Sequence, residues 1–160
     1  LTQVLDGDNV RTGINNNLGF SEEDRKENIR RIAEINKLFL NCGVITINAF
    51  ISPTNDIRRM VLEIIGTENF IEVFEDAPVE ICIQRDPKGL YKKAMAGEIK
   101  NFTGIDASFD QPDDAEVKVN TSQLGIEEGV KKAFSFIIER VKKETANNTK
   151  NLRSRFLLAK

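Results

Sequence analysis

The stretch Val44-Ile-Thr-Ile-Asn-Ala-Phe-Ile51 is a nearly continuous apolar run, rich in β-branched residues and followed by Ser52 and Pro53. Such a run suits a strand buried on both faces, the condition of a parallel sheet covered by helices. On its N-terminal side, Ser21-Glu-Glu-Asp24 reads as a helix start, with Ser as N-cap and acids in the first turn. Ile29, Ile32, Ile35, Phe39 and Cys42 then step by three or four, the helical period, and Asn41 with Gly43 supplies the stop. Leu1-Thr-Gln-Val-Leu5 reads as a short strand that delivers Asp6-Gly-Asp-Asn9 at its C-terminal end.

Downstream of the run, residues 56–65 predict a helix stopped by Gly66, and residues 70–74 a strand. Pro78 opens a short helix over 79–84, in the first-turn position that tolerates proline, and residues 88–96 predict another. Residues 97–114 are irregular, and 116–120 predict a last strand. Ile126, Val130, Ala133, Ile137 and Val141 mark a final amphipathic helix. Strand and helix alternate throughout, which predicts an α/β fold with a parallel sheet. Residues 145–151 read as a polar linker and 152–160 as a basic tail, so one domain over 1–144 carries a 145–160 appendage.

Composition narrows the chemistry. The 160 residues contain 40% apolar and 30% charged side chains and carry net charge −2, the balance of a soluble globular domain. No histidine is present, which excludes a Ser-His-Asp triad, a Cys-His pair and any His-ligated metal within this chain. Two cysteines, Cys42 and Cys82, supply no disulfide framework and read as reduced cytoplasmic thiols. No stretch approaches the ~18 apolar residues of a membrane span, and the N-terminus lacks a secretory pattern. The chain begins in an apolar run without an initiating Met.

Ligands of open α/β sheets gather outside the carboxyl ends of the strands. At the first such end, Asp6 and Asp8 flank Gly7; the pair suits Mg²⁺-bound waters or a hydroxyl proton, or is an ordinary Asp-Gly turn. At the second, Ser52 offers a hydroxyl to a ligand or caps the next helix. The third runs from Arg85 through Lys88, Lys92 and Lys93 to Lys100, a cationic island on an acidic chain. Arg25 near Phe20 offers a guanidinium beside an aromatic face, and Phe102 is either a satellite core residue or part of a lid over a planar base. These residues suit a flat, anionic ligand such as a nucleotide. Residues 140–160 are net +6, but the remainder is acidic and repels nucleic acid, so no nucleic-acid or membrane partner is expected.

Five segments carry a more specific resemblance. They are Leu5-Asp-Gly-Asp-Asn-Val-Arg11, Leu18 through Arg31, Ala49-Phe-Ile-Ser-Pro53, Arg85 through Ala94, and Gly97-Glu-Ile-Lys leading to Phe102-Thr-Gly-Ile-Asp106. In order and spacing the chain resembles the adenylyl-sulfate kinase (APS kinase) family over residues 3–143. The resemblance implies a P-loop kinase-like three-layer fold and transfer of the ATP γ-phosphoryl group to the 3′-hydroxyl of adenosine 5′-phosphosulfate, the step of sulfate activation that yields 3′-phosphoadenosine 5′-phosphosulfate. It further implies Mg²⁺, ATP as co-substrate, a cytoplasmic homodimer and a lid over about 85–110.

By position, the resemblance places Asp8, Asn9 and Arg11 on the sulfonucleotide and Phe20 and Phe102 around its adenine, with Arg25 and Asn28 alongside. Ile51 and Ser52 would line the pocket, Ser52 being a phosphoryl acceptor in part of the family. Lys88 and Asn101 fall in the lid and Arg85 on the ATP side. With no histidine present, Asp8 is the natural proton acceptor, and Asp6 would meet the metal through water. Asn101 stands where the family commonly has Gly, which predicts a slightly stiffer lid. The pattern G-x-x-x-x-G-K-[ST] does not occur, so the first strand, phosphate loop and first helix of the fold are expected to lie outside the chain. The 160 residues alone are then expected not to turn over ATP, and the alternative reading is an inactive nucleotide-binding or interaction module.

Overall fold

The computed structural model describes residues 1–147 and 156–159, with side chains described through Lys143. The apolar run forms β2 (Ile45–Ala49), and β1 (Thr2–Asp6) lies parallel to it with Asp6 opposite Ala49. Between them come α1 (Gly7–Thr12) and α2 (Glu22–Asn41). After β2 follow α3 (Asn55–Ile65), β3 (Phe70–Asp76), α4 (Val79–Arg85), α5 (Leu90–Met95), β4 (Val117–Asn120), α6 (Ile126–Asn147) and β5 (Phe156–Ala159). The sheet is parallel throughout, in the order β1-β2-β5-β3-β4. This is the expected α/β fold.

Helix starts follow local chemistry. Ser21 Oγ accepts from Asp24 N at 3.1 Å, and Glu22, Glu23 and Asp24 place negative charge at the positive end of the α2 dipole. Ile29 and Ile32 on α2 pack with Ile57, Val61 and Ile65 of α3 and with Phe50 and Phe70, forming the core on one face of the sheet. On the other face Ile71, Val73, Val117 and Val119 pack against Ala133, Phe136 and Ile137 of α6. Asn48, a buried polar residue inside the β2 run, is satisfied across the first interface: Asn36 Nδ2 donates to Asn48 Oδ1 at 2.9 Å, and Asn48 Nδ2 returns a bond at 3.2 Å.

Several expectations change. The face of β2 away from α2 is only partly closed: Thr46 and Asn48 are buried under α2, whereas on the opposite face Ile45 is half-buried against the α6 core and Ile47 is 37% exposed, because α6 packs chiefly on β3 and β4. Likewise Ile126 and Val130, read as the buried face of the last helix, are exposed. Asp6-Gly-Asp-Asn9 enters a helix directly instead of making an isolated turn. Thr54, not Ser52, caps α3, accepting from Ile57 N at 3.4 Å. Pro78 is the N-cap of α4. Of the predicted linker and tail, residues 145–147 continue α6 and Phe156–Ala159 form a strand between β2 and β3; residues 148–155 and Lys160 lie outside the described residues.

Candidate active site

The parallel register of β1 and β2 ends with Asp6 beside Ala49, so Gly7 and Asp8 emerge next to Phe50 and Ile51. A cavity of about 220 Å³ opens there. Its walls are Asp6 to Asp8 and Arg11 from one side, Ala49 to Ile51 from another, and Phe20, Arg25 and Asn28 from the start of α2. Gly7 packs beside the Phe50 ring: a Cβ there would stand 3.4 Å from Phe50 Cδ1 and 3.5 Å from Ala49 O, ordinary contact distances.

The two carboxylates have separate tasks. Asp6 caps α1, its Oδ1 accepting from Asp8 N at 3.0 Å and Asn9 N at 3.4 Å. Asp8, in the first turn of α1, is largely exposed, and its Oδ2 accepts from Lys88 Nζ. That hydrogen bond, reinforced by the Asp8 charge, raises the Lys88 pKa. Asn9 is exposed and lies off the cavity wall, contributing its amide to the Asp6 cap.

Two guanidinium groups bracket Phe20. Arg11 Cζ sits 4.4 Å from the ring centroid and Arg25 Cζ 5.8 Å from it. Arg11 Nη1 donates to the carbonyls of Leu18 (3.1 Å) and Gly19 (2.8 Å), which holds the turn before α2. Arg25 joins this turn to the segment after α5: Nε donates to Phe20 O at 3.0 Å, Nη1 to Thr103 Oγ1 at 2.8 Å and Nη2 to Asn101 O. Burial lowers the pKa of both arginines, and for Arg25 the neighbouring Arg11 lowers it further. Both nonetheless remain cations at neutral pH.

Asn101 and Phe102 sit in a tight turn around Asp106. The Asp106 carboxylate accepts from Asn101 N at 2.8 Å and from Phe102 N, and these bonds depress its pKa. Asn101 has φ +57°, the left-handed conformation that Gly and Asn tolerate best, so Asn suits this position. Phe102 is half-buried and packs edge-on against Tyr91, with centroids 4.9 Å apart; it does not line the cavity. Arg85 lies apart as well, donating from Nη2 to Thr121 O at 2.5 Å beyond β4.

A profile of the adenylylsulphate kinase family matches residues 1–120. The chain belongs to the adenylyl-sulfate kinase family. The adenylyl-sulfate kinase of Bacteroides thetaiotaomicron is 56% identical over 144 residues, spanning 90% of this chain and 72% of that protein. That of Clostridium kluyveri is 53% identical over 137 residues, 86% of this chain and 68% of its own. The Mycobacterium tuberculosis APS kinase, solved in complex with AMPPNP and APS, shares the fold with a TM-score of 0.80 at 40% identity, covering 85% of this chain and 79% of that one.

Among adenylyl-sulfate kinase positions, Ser52 stands apart. It is buried and lines a second cavity of about 10 Å³, the room of one water, together with Arg58, Glu72, Phe74, Phe109 and Pro112. Arg58 was not foreseen from sequence, since an Arg-Arg pair on an amphipathic helix reads as solvated. The residue is only 4% exposed, and its guanidinium donates to Ser52 O, to Asn55 Oδ1 at 2.5 Å and to Asp110 O at 2.7 Å. It thereby ties the Ser52 loop to the C-terminal end of the expected lid.

Proposed function

We propose that adenosine 5′-phosphosulfate occupies the cavity at the ends of β1 and β2 and presents its 3′-hydroxyl to Asp8. The observation that carries this reading is the arrangement around Asp8: an exposed carboxylate, one oxygen held by Lys88, beside a cavity walled by Phe20, Arg11 and Arg25. The Phe20 ring and the side chain of Ile51 receive the adenine, and Phe102 closes over it when the segment carrying Lys88 and Asn101 moves inward as a lid. Arg11, Arg25 and Asn9 serve the phosphosulfate and ribose.

In the transfer, the 3′-oxygen forms a bond to the γ-phosphorus as the bond to the ADP oxygen breaks, and the hydroxyl proton passes to Asp8. Such transfer depends on positioning and charge neutralisation more than on covalent chemistry. Arg85 belongs to the ATP side of this arrangement. Among the described residues no group of three or more metal-ligating side chains assembles a metal site. Asp6 spends Oδ1 on the helix cap and keeps Oδ2, which fits a magnesium ion held mainly by ATP phosphates and met through water. Bound there, the ion would neutralise phosphate charge. A phosphoryl group on Ser52 would need the loop held by Arg58 to open. A homodimer working in the cytoplasm completes the proposal, resting on the resemblance.

Calorimetric titration of the chain tests it. Saturable binding of adenosine 5′-phosphosulfate, tighter than that of AMP, is the expected result. Absence of saturable binding would refute the assignment.

A further inference from the structure

Asn28 lies on the buried face of α2, where a polar side chain needs partners. It is 5% exposed and lines the 220 Å³ cavity. Its Oδ1 accepts from Asn15 Nδ2 at 2.9 Å, while its Nδ2 has no hydrogen bond among the described residues. A buried donor left open at a cavity wall awaits an acceptor on whatever fills the cavity.

The orientation of this amide is dictated from behind. Asn15 is fully buried, and its amide faces two groups of fixed polarity. On one side stands the Arg31 guanidinium, a donor with no acceptor, 3.5 Å from Asn15 Oδ1. On the other stands the main-chain carbonyl of Asn28, an acceptor only, 3.5 Å from Asn15 Nδ2. Oxygen toward Arg31 and nitrogen toward Asn28 is the one arrangement that satisfies both. Asn28 must then turn Oδ1 to Asn15 and Nδ2 to the cavity. Arg31 is itself fixed, by Glu27 Oε1 at 2.8 Å and Asn17 Oδ1 at 2.8 Å.

We infer that Asn15 is a positioning residue which, through the directional chain Arg31–Asn15–Asn28, makes Asn28 a donor in the cavity and so selects a ligand with a hydrogen-bond acceptor at that point. The inference rests on the reading of the cavity as the sulfonucleotide site, where ring nitrogens and phosphosulfate oxygens are such acceptors. Asn15→Asp tests it. The new carboxylate keeps the Arg31 contact but can only accept, so Asn28 turns its Nδ2 inward and presents oxygen to the ligand.

Affinity for adenosine 5′-phosphosulfate should fall about ten-fold in Asn15→Asp, the scale of one lost hydrogen bond. Asn28→Asp should lose a similar amount, and the double variant little more than either alone, since both act through one group. The unfolding midpoint of Asn15→Asp separates this effect from a loss of folding. Unchanged affinity in a folded Asn15→Asp, or full additivity in the double variant, overturns the inference. If the parent chain binds no sulfonucleotide, the cavity reading fails and NMR decides the relay: the Asn28 side-chain amide protons should exchange with solvent faster in the parent than in Asn15→Asp. Equal exchange in the two refutes the relay independently of any ligand.

Discussion

Lys88, just beyond α4, forms an ion pair with Asp8 in the first turn of α1, across 80 residues of sequence. The contact brings the cationic segment to the carboxylate at the end of β1. Both side chains are well exposed, at 63% and 75%, so the pair contributes little to stability. Lys88→Met should leave the unfolding midpoint in place and weaken sulfonucleotide binding about ten-fold, as expected for loss of a charge-assisted hydrogen bond. Thermal unfolding and calorimetry on the same variant check both halves.

Phe20 is 58% exposed at the cavity wall, so part of its ring remains open to a ligand beside the Arg11 and Arg25 guanidinium groups. Phe20→Ala should reduce affinity for the adenine ligand about ten-fold, the worth of one base–aromatic stack, with a smaller loss of stability of about 1 kcal/mol from the two cation–π contacts. Phe102→Ala should weaken binding comparably but also lower the unfolding temperature, because its ring packs against Tyr91.

Arg58 and Glu72 form a buried pair at 3.5 Å, with side chains 5% and 14% exposed. Arg58→Met should destabilise the chain by about 3 kcal/mol, because it strands the Glu72 carboxylate. Burial already raises the Glu72 pKa, and Arg58 opposes that rise. Without the guanidinium the folded state binds the Glu72 proton still more tightly than the unfolded chain does, so the deficit should shrink as pH falls. Adding Glu72→Gln should recover part of the loss at neutral pH. Denaturant unfolding across pH measures all three.

Glu27 is held to a pKa of about 2 by hydrogen bonds from Arg30 and then Arg31. A depressed carboxylate stabilises the fold above its ordinary value of 4.5 and loses that contribution as pH falls toward 2. The site is about one-third exposed, so solvent screening keeps the effect small. Glu27→Gln should therefore flatten the acid limb of the stability profile between those values and leave its shape above pH 6 unchanged; acid titration followed by circular dichroism tests this.

What the sequence disclosed depended on how local each determinant was. Helix α2 was legible because Ser21, three acids and an apolar period agree, and β2 because its run lacks breakers. The six-residue α1 was not, since Asp6-Gly-Asp8 carries turn chemistry and too few residues to show a period. At the cavity, Asp8, Phe20 and Arg25 could be named from the strand end and the helix start. Arg58 and Asn15 could not: one reads as surface charge and the other as part of a polar Asn run, and only packing makes each a buried hub. The strand Phe156–Ala159 follows a stretch whose composition is that of a linker, so its place inside the sheet rests on long-range pairing with β2 and β3.

The most direct test compares two ligands in two proteins. Adenosine 5′-phosphosulfate and its 3′-deoxy analogue are titrated into the parent chain and into Asp8→Ala. The parent should prefer the hydroxyl-bearing ligand by about ten-fold or more, the value of one hydrogen bond to a carboxylate, and Asp8→Ala should bind the two alike. Discrimination that persists without the Asp8 carboxylate would contradict the assignment of Asp8 to the 3′-hydroxyl.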